Sequence, residues 1–270
     1  NRLPILFLPG DTYANRMPDP VLQQVEQFNN PSTTANDAFK PVTRYFDRIT
    51  RPEQIIQSFP IAVQTMLDPA DCGPACISLS QDIQGQTFDY PAEFFQERVH
   101  TIRRPRPDEF QIKEAADKIK SSKNPIIISG GGVFYSDAME ELSQFAIKHN
   151  IPVTQTVMGY STMKRDHSHF AGQIGGLGGK NTNTLAKETD LAIAVGTKLG
   201  DFTTGSWANF ENENFKLVSI NVSRYDANKH LAQAVVGDAK VSLIELSLAL
   251  GDWKAGEDWN KKSQIELKSW

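Results

Sequence analysis

Three glycine-rich segments carry the residue types that hold anionic ligands. In the first, the apolar run Ile126-Ile127-Ile128-Ser129 leads into Gly130-Gly131-Gly132, and a helix is expected over 136–149. Such a corner lets the backbone turn tightly and approach a phosphate, with the amides at the helix start facing the charge. A dinucleotide fingerprint needs G-x-G-x-x-G, and an acid at the end of the next strand. Gly130 and Gly132 fill the first two positions, but Tyr135 stands at the third. The next strand, Val153-Thr154-Gln155-Thr156, has no acid. NAD is therefore disfavoured, and a tight strand-to-helix turn accounts for the corner at least as well as a phosphate site.

The second segment is Gly175-Gly176-Leu177-Gly178-Gly179-Lys180-Asn181. A P-loop requires G-x4-G-K-[ST]. Here Ile174 occupies the first glycine position and Asn181 replaces the hydroxyl that would hold Mg²⁺, so the motif fails. A pyrophosphate lying on the amides of Gly175, Gly176, Gly178 and Gly179 stays open beside a purely structural role, because a helix is expected from about 181 to 188. The third segment runs from Gly196-Thr197 through Asp201 to Gly205, after the buried strand Leu191 to Val195. Asp201 could meet a ribose or an amine, or cap the following turn.

Other reactive side chains do not combine. His167 and His169 could share one side of a strand but lack a third ligand, and His100, His149 and His230 stand alone. Cys72 and Cys76, spaced C-x3-C, read as reduced, partly buried thiols. No G-x-S-x-G elbow and no H-E-x-x-H occurs. An NAD-dependent deacylase would need repeated C-x2-C pairs and a catalytic histidine motif, and has neither here.

The elements that must position these loops alternate along the second half of the chain. A helix from Pro107 or Asp108 to Lys120 precedes strand 126–129, helix 136–149 and strand 152–156. Then come helix 181–188, strands Leu191 to Val195 and Leu217 to Asn221, a short strand at Val235-Val236 and helix 239–249. This is the pattern of an α/β fold with a doubly wound, Rossmann-like parallel sheet, right-handed crossovers and ligands at the carboxyl ends of the strands. Before it, residues 4–9 read as a buried strand, Val21 to Phe28 as a short helix and Ala75 to Leu79 as a strand. A helix capped by Thr50 should run to about Leu67, kinked or split at Pro60. Two clear strands are too few for an independent sheet. Arg103-Arg104-Pro105-Arg106-Pro107 reads as a linker.

Composition narrows the partners. The chain has 270 residues, 39% hydrophobic and 22% charged, with net charge -4 and pI near 5.8. No basic run is long enough to track a nucleic acid backbone, and no stretch approaches the roughly 20 apolar residues of a membrane span. No signal peptide is recognised, and a cytoplasmic location is expected. The chain enters an apolar run at Ile5 without an initiator Met and stops at Trp270 in a polar stretch, which suggests a piece of something longer.

The first hundred residues hold a distinctive run: Pro9-Gly10-Asp11-Thr12-Tyr13-Ala14-Asn15-Arg16, Pro18-Asp19-Pro20-Val21-Leu22-Gln23-Gln24, Asn36-Asp37-Ala38-Phe39-Lys40-Pro41-Val42 and Arg44-Tyr45-Phe46-Asp47-Arg48-Ile49. With Asp89-Tyr90-Pro91, Phe94-Phe95 and Arg98-Val99-His100, these closely resemble the thiamine-diphosphate-dependent enzymes, and within them the branch that hydrolyses a trihydroxycyclohexane-1,2-dione in myo-inositol catabolism. The resemblance covers essentially the whole chain. Its first part is specific to that branch. The part from Asn124-Pro125 to Gly237-Asp238 is similar to the middle domain of the family at large.

The resemblance implies a three-domain parent. Residues 1–100 would be the C-terminal half of its pyrimidine-binding domain, 101–110 a linker, 111–250 the middle domain, and 251–270 the start of a linker to a diphosphate-binding domain. The parent would cleave a ring C–C bond of a small cyclic polyol-diketone, giving a deoxy-glucuronic acid, with thiamine diphosphate and Mg²⁺. The family's activating Glu would lie upstream of residue 1. Its Gly-Asp-Gly motif is not matched at Gly10-Asp11-Thr12, Gly200-Asp201-Phe202, Gly237-Asp238-Ala239 or Gly251-Asp252-Trp253. The expectation is a fragment that is inactive alone, with no catalytic residue or metal ligand of its own. Its partners would be the missing domains and a second subunit of a homo-oligomer. Residues 10–16 and 80–85 would face the cofactor only in that assembly. Some relatives bind FAD or an adenine nucleotide in the middle domain, so Gly130, Gly131, Gly132, Gly175, Gly176, Gly178, Gly179, Gly196, Thr197 and Asp201 mark a vestigial nucleotide site. An acetohydroxyacid-synthase-like carboligase or decarboxylase fragment is the alternative within the family. A stand-alone nucleotide-binding module is the alternative outside it.

Overall fold

A computed structural model describes residues 2–17, 20–27 and 29–269. Of the residues singled out above, Pro18, Asp19 and Phe28 lie outside these, as do both chain ends. The chain divides into two compact units, one up to Arg103 and one from Arg104.

In the first unit, β1 (Leu6–Phe7), β2 (Gly10–Asp11), β3 (Tyr45–Ile49), α1 (Ile55–Leu67) and β4 (Ala75–Ser80) follow one another. β4 is central and every pairing is parallel. β1 and β2 lie end to end along one side of β4, with Leu6 opposite Ala75 and Gly10 opposite Leu79. The break falls at Pro9, which has no amide to give but whose carbonyl still accepts from Leu79 N at 2.9 Å. β3 runs along the other side. The two strands expected are thus four. Tyr45-Phe46-Asp47-Arg48-Ile49 hides as a strand because Arg48 points into a buried polar network rather than to solvent.

Two further expectations are corrected in this unit. Val21 to Gln27 is not helical: Gln23 is left-handed (φ +62°), and Gln24 forms an isolated bridge to Thr34. The Gln24 side chain accepts from Val21 N and donates to Pro31 O, closing a turn that competes with a helix. At α1, Thr50 is not the cap. Gln54 Oε1 reaches back to accept from Thr50 N (2.7 Å) and Arg51 N (2.9 Å). α1 then continues through Pro60 as one helix and packs Ala62 against Ile49, Ala75 and Ile77.

The second unit contains α2 (Glu109–Lys120), β5 (Pro125–Ser129), α3 (Gly131–Tyr135), α4 (Met139–His149), β6 (Val153–Gln155), β7 (Phe170–Gln173), α5 (Lys180–Glu188) and β8 (Leu191–Val195). It continues with α6 (Asp201–Thr204), β9 (Lys216–Asn221), α7 (Arg224–Ala227), β10 (Gln233–Val236), α8 (Ala239–Leu250) and α9 (Glu257–Ser269). Six parallel strands run in the order β10-β9-β8-β5-β6-β7. Alternate side chains of β5 enter two cores. Ile127 joins Ile193 and Val218 under α2, α4 and α8, while Ile126 and Ile128 join Leu185 of α5 and Trp259 of α9. The expected doubly wound sheet is therefore present.

Three elements differ from expectation. The helix expected over 136–149 is two, α3 and α4, broken where Asp137 is left-handed (φ +52°). β7 (Phe170–Gln173), a strand not expected, ends just before the second glycine-rich segment. Residues 257–269, expected as linker, form α9, whose Trp259 indole is buried and donates to Pro125 O at 2.8 Å. No helix among the described residues is long and apolar enough to cross a membrane.

Candidate functional site

The sheet of the second unit changes winding direction at β5. From there the chain builds outward through β6 and β7, then returns to β8 on the other side of β5. Ligand crevices in open α/β sheets form at such a switch, outside the carboxyl ends of the strands. The loops after β5 and β8 carry Gly130–Gly132 and Gly196–Asp201, while Gly175–Gly179 follow β7, the edge strand.

Their geometry is that of a tight seam. Gly130 N donates to Val195 O and Gly132 N to Gly196 O, both at 2.9 Å. Gly196 is left-handed (φ +60°), and a Cβ on it would lie 2.6 Å from Gly132 Cα. A Cβ on Gly130 would lie 2.5 Å from Gly196 O, and one on Gly131 3.1 Å from Met158 O. The glycines are thus required for backbone to touch backbone. The second loop joins the third in the same way. A Cβ on Gly175 (φ +102°) would meet Phe202 O at 2.0 Å, and Gly176 N donates to that carbonyl at 2.7 Å. Gly175 is also clamped by Asn183, whose side chain accepts from its N–H and donates to its carbonyl, each at 3.0 Å. Gly178 N and Gly179 N donate to Gly175 O and Gln173 O.

Most of the amides that a phosphate would use are therefore spent within the loops. Thr197 is buried, its hydroxyl accepting from Leu199 N and its carbonyl from Asn221 Nδ2. Asp201 is exposed and opens α6, a helix of four residues. α3 has only five. Neither is long enough to sum a useful dipole. Around the seam stand exposed apolar side chains: Phe134, Tyr135, Met158, Leu177 and Phe202.

Two histidines of this unit are tied into the fold by hydrogen bonds. His169 Nε2 lies 3.1 Å from Asn150 Oδ1, and Nδ1 3.0 Å from Ser168 Oγ. Burial, with a smaller contribution from His167, pushes His169 down to about 4. His149 lies between Trp253 O (2.7 Å) and Ser247 Oγ (3.0 Å), and burial lowers it as well. Among the described residues no three His, Cys, Asp or Glu side chains converge as a metal site.

The first unit holds a polar cluster that the residue types alone did not reveal. One sheet face bears Asp11, Arg48 and Ser78 at the carboxyl ends of β2, β3 and β4. Asp11 is fully buried and accepts from Thr12 N (2.8 Å), Arg48 Nε (2.6 Å) and Ser78 Oγ (2.5 Å). Arg48 also donates to Asp37 (2.8 Å) and to Thr34 Oγ1 (3.0 Å). Thr34 and Asp37 form a capping box, and Lys40 pairs with Asp37 at 2.7 Å. Burial raises Asp11, but the bonds from Ser78 and Arg48 outweigh it and hold the carboxyl below its ordinary range. For Asp37 the same opposition, with Lys40 foremost among the donors, ends at about 2. The T-x-x-D spacing of Thr34 and Asp37 was the available sequence signal. Gly10-Asp11-Thr12 fails the Gly-Asp-Gly pattern and residues 10–16 are expected to face the cofactor in the assembly, but neither reading points to a buried, ion-paired Asp11. Cys72 and Cys76 are both free, and burial raises both thiols.

Residues 112–246 match the central domain of thiamine pyrophosphate enzymes. A 3D-(3,5/4)-trihydroxycyclohexane-1,2-dione hydrolase of Clostridium perfringens (strain 13) is 48% identical over 250 residues, covering 93% of this chain and 39% of the relative. The protein of that name from Bacillus velezensis is 46% identical over 274 residues, 98% of this chain and 42% of the relative. That of Clostridium botulinum (strain Alaska E43) is 48% identical over 243 residues, 90% and 38%. The chain spans about two fifths of the length of the curated relatives it matches.

Proposed function

We propose, from the premise that this chain belongs to the thiamine pyrophosphate enzyme family, that it is part of a hydrolase that opens the ring of trihydroxycyclohexane-1,2-dione. The single observation that carries this is the name shared by relatives 46–48% identical over nine tenths or more of the chain. The reaction balances without an oxidant. The bond between the two carbonyl carbons breaks, water's oxygen and one hydrogen make one carbon a carboxylic acid, and the other hydrogen makes its neighbour an aldehyde. The product would be a 5-deoxy-glucuronic acid.

In this reading residues 1–100 are the second half of a pyrimidine-binding domain and 111–250 the middle domain, joined through 101–110. Because Gly10-Asp11-Thr12, Gly200-Asp201-Phe202, Gly237-Asp238-Ala239 and Gly251-Asp252-Trp253 all fail the Gly-Asp-Gly pattern, we place the pyrophosphate and Mg²⁺ on other parts of a cytoplasmic homo-oligomer, and take the chain alone as inactive. The three glycine loops serve as a structural seam. The committed amides of Gly132, Gly175, Gly176, Gly178 and Gly179 support this over a working ADP or FAD site.

The test is turnover by the protein at the length of its relatives, followed by NMR with the dione and, separately, with pyruvate. Loss of the dione with appearance of the acid is expected. Activity on pyruvate alone would replace this reading with a carboligase or decarboxylase.

A further inference from the structure

The loop after β2, residues 12–17, is held more firmly than an exposed loop requires. Asp11 accepts from Thr12 N at 2.8 Å. Asp82, distant in sequence, uses both oxygens on the loop, accepting from Ala14 N and Asn15 N at 2.9 Å each. Asp11 is itself fixed by Arg48 and Ser78, and Arg48 by Asp37. Burying a carboxylate to this degree is expensive and gains little stability over apolar packing. It does fix backbone position, which a binding site needs.

What the fixed loop presents is Arg16. Its guanidinium lies 4.1 Å from the centroid of the Tyr13 ring. The side chain is exposed and makes no ion pair with any described residue. A guanidinium over a ring uses one flat face for that contact and can still donate through its edge N–H groups. That edge is a planar fork, matched to two oxygens held side by side. Thr12 Oγ1 in this loop, and Gln23 Oε1 on a side chain that lies near Gly10, are buried with no hydrogen-bond partner among the described residues.

We propose that Arg16, stacked on Tyr13 and carried by the 12–17 loop, recognises the adjacent oxygen pair of a cyclic 1,2-dione. This rests on the hydrolase reading and deepens it. A ring locks the two carbonyl oxygens on the same side, as the fork requires. Cleavage between them turns one carbonyl into a carboxylate, so the attraction to Arg16 grows as the C–C bond breaks.

The test compares wild type with R16A, R16K and Y13L in the protein at the length of its relatives. R16A should lower kcat/KM for the dione by about 10- to 100-fold, the range of a hydrogen bond to a charged group. The melting temperature should not change. Added guanidinium ion should restore part of the R16A rate, and R16K only a fraction, because an ammonium cannot fork. Y13L should cost about 2- to 5-fold, as for an exposed cation–π contact. An R16A enzyme with wild-type kcat/KM, or one whose loss follows a lowered melting temperature and is not rescued, overturns the assignment alone. A wild type that leaves the dione untouched overturns the hydrolase reading and this assignment with it.

Discussion

A carboxylate without solvent contact stays ionised only where its surroundings donate to it, and Asp11 has Thr12 N, Arg48 Nε and Ser78 Oγ. Removing its charge leaves Arg48 half-matched in a buried setting. Asp11→Asn should therefore destabilise the first unit by about 3 kcal/mol, read from urea unfolding. The histidines set a pH dependence of known sign. His169 falls to about 4 when folded against about 6.5 unfolded, so the unfolded chain binds its proton first. Stability is full above about pH 6.5 and declines as pH falls towards 4, by an amount on the order of 3 kcal/mol at most. Lowered His149 acts in the same direction. Asp37, at about 2, adds a separate loss below about pH 4. Thermal melts from pH 7.5 to 4 should show the first decline, and His169→Gln should flatten it. At this scale the sequence located the glycines but not their partners. Nothing in Gly130-Gly131-Gly132 says that Gly196, 64 residues on, will press against Gly132.

The elements show where pattern is enough and where it is not. β5, β8 and β9 were legible because apolar runs bounded by polar turns are what a strand buried on both faces requires. β3 and β7 were not. β3 carries Asp47 and Arg48, and β7 is four residues long, contains left-handed Gly172 and pairs irregularly with β6. α9 was missed because its apolar content is sparse, and its anchor is one tryptophan on the start of β5. The seam between loops gives an element-scale prediction. Gly196→Ala combines left-handed backbone strain with overlap against Gly132, and should cost about 2–4 kcal/mol. Gly200→Ala has open space and ordinary φ, and should change stability by less than about 1 kcal/mol. Denaturant midpoints of the two variants test the contrast. Equal losses would mean that the loops are not held by this approach.

On the scale of the whole molecule, each unit has its own sheet and core. The first leaves Leu3, Ile5, Phe7 and Leu8 exposed along β1, where an unpaired strand edge invites association. The isolated chain should therefore self-associate with rising concentration in light scattering. A monomer at millimolar concentration would show that this edge is packed in another way. Fold class was legible at this scale because it depends on the order of elements, which alternation reveals. The candidate site was legible only in part, since the buried cluster around Asp11 depends on residues drawn from four separated segments. The most direct measurement is turnover of the dione in ¹⁸O-labelled water by the protein at the length of its relatives, with thiamine pyrophosphate and Mg²⁺ supplied. One labelled oxygen in the carboxylate of a ring-opened acid is the predicted result. An intact dione, or an acid without the label, would contradict hydrolytic cleavage of the C–C bond.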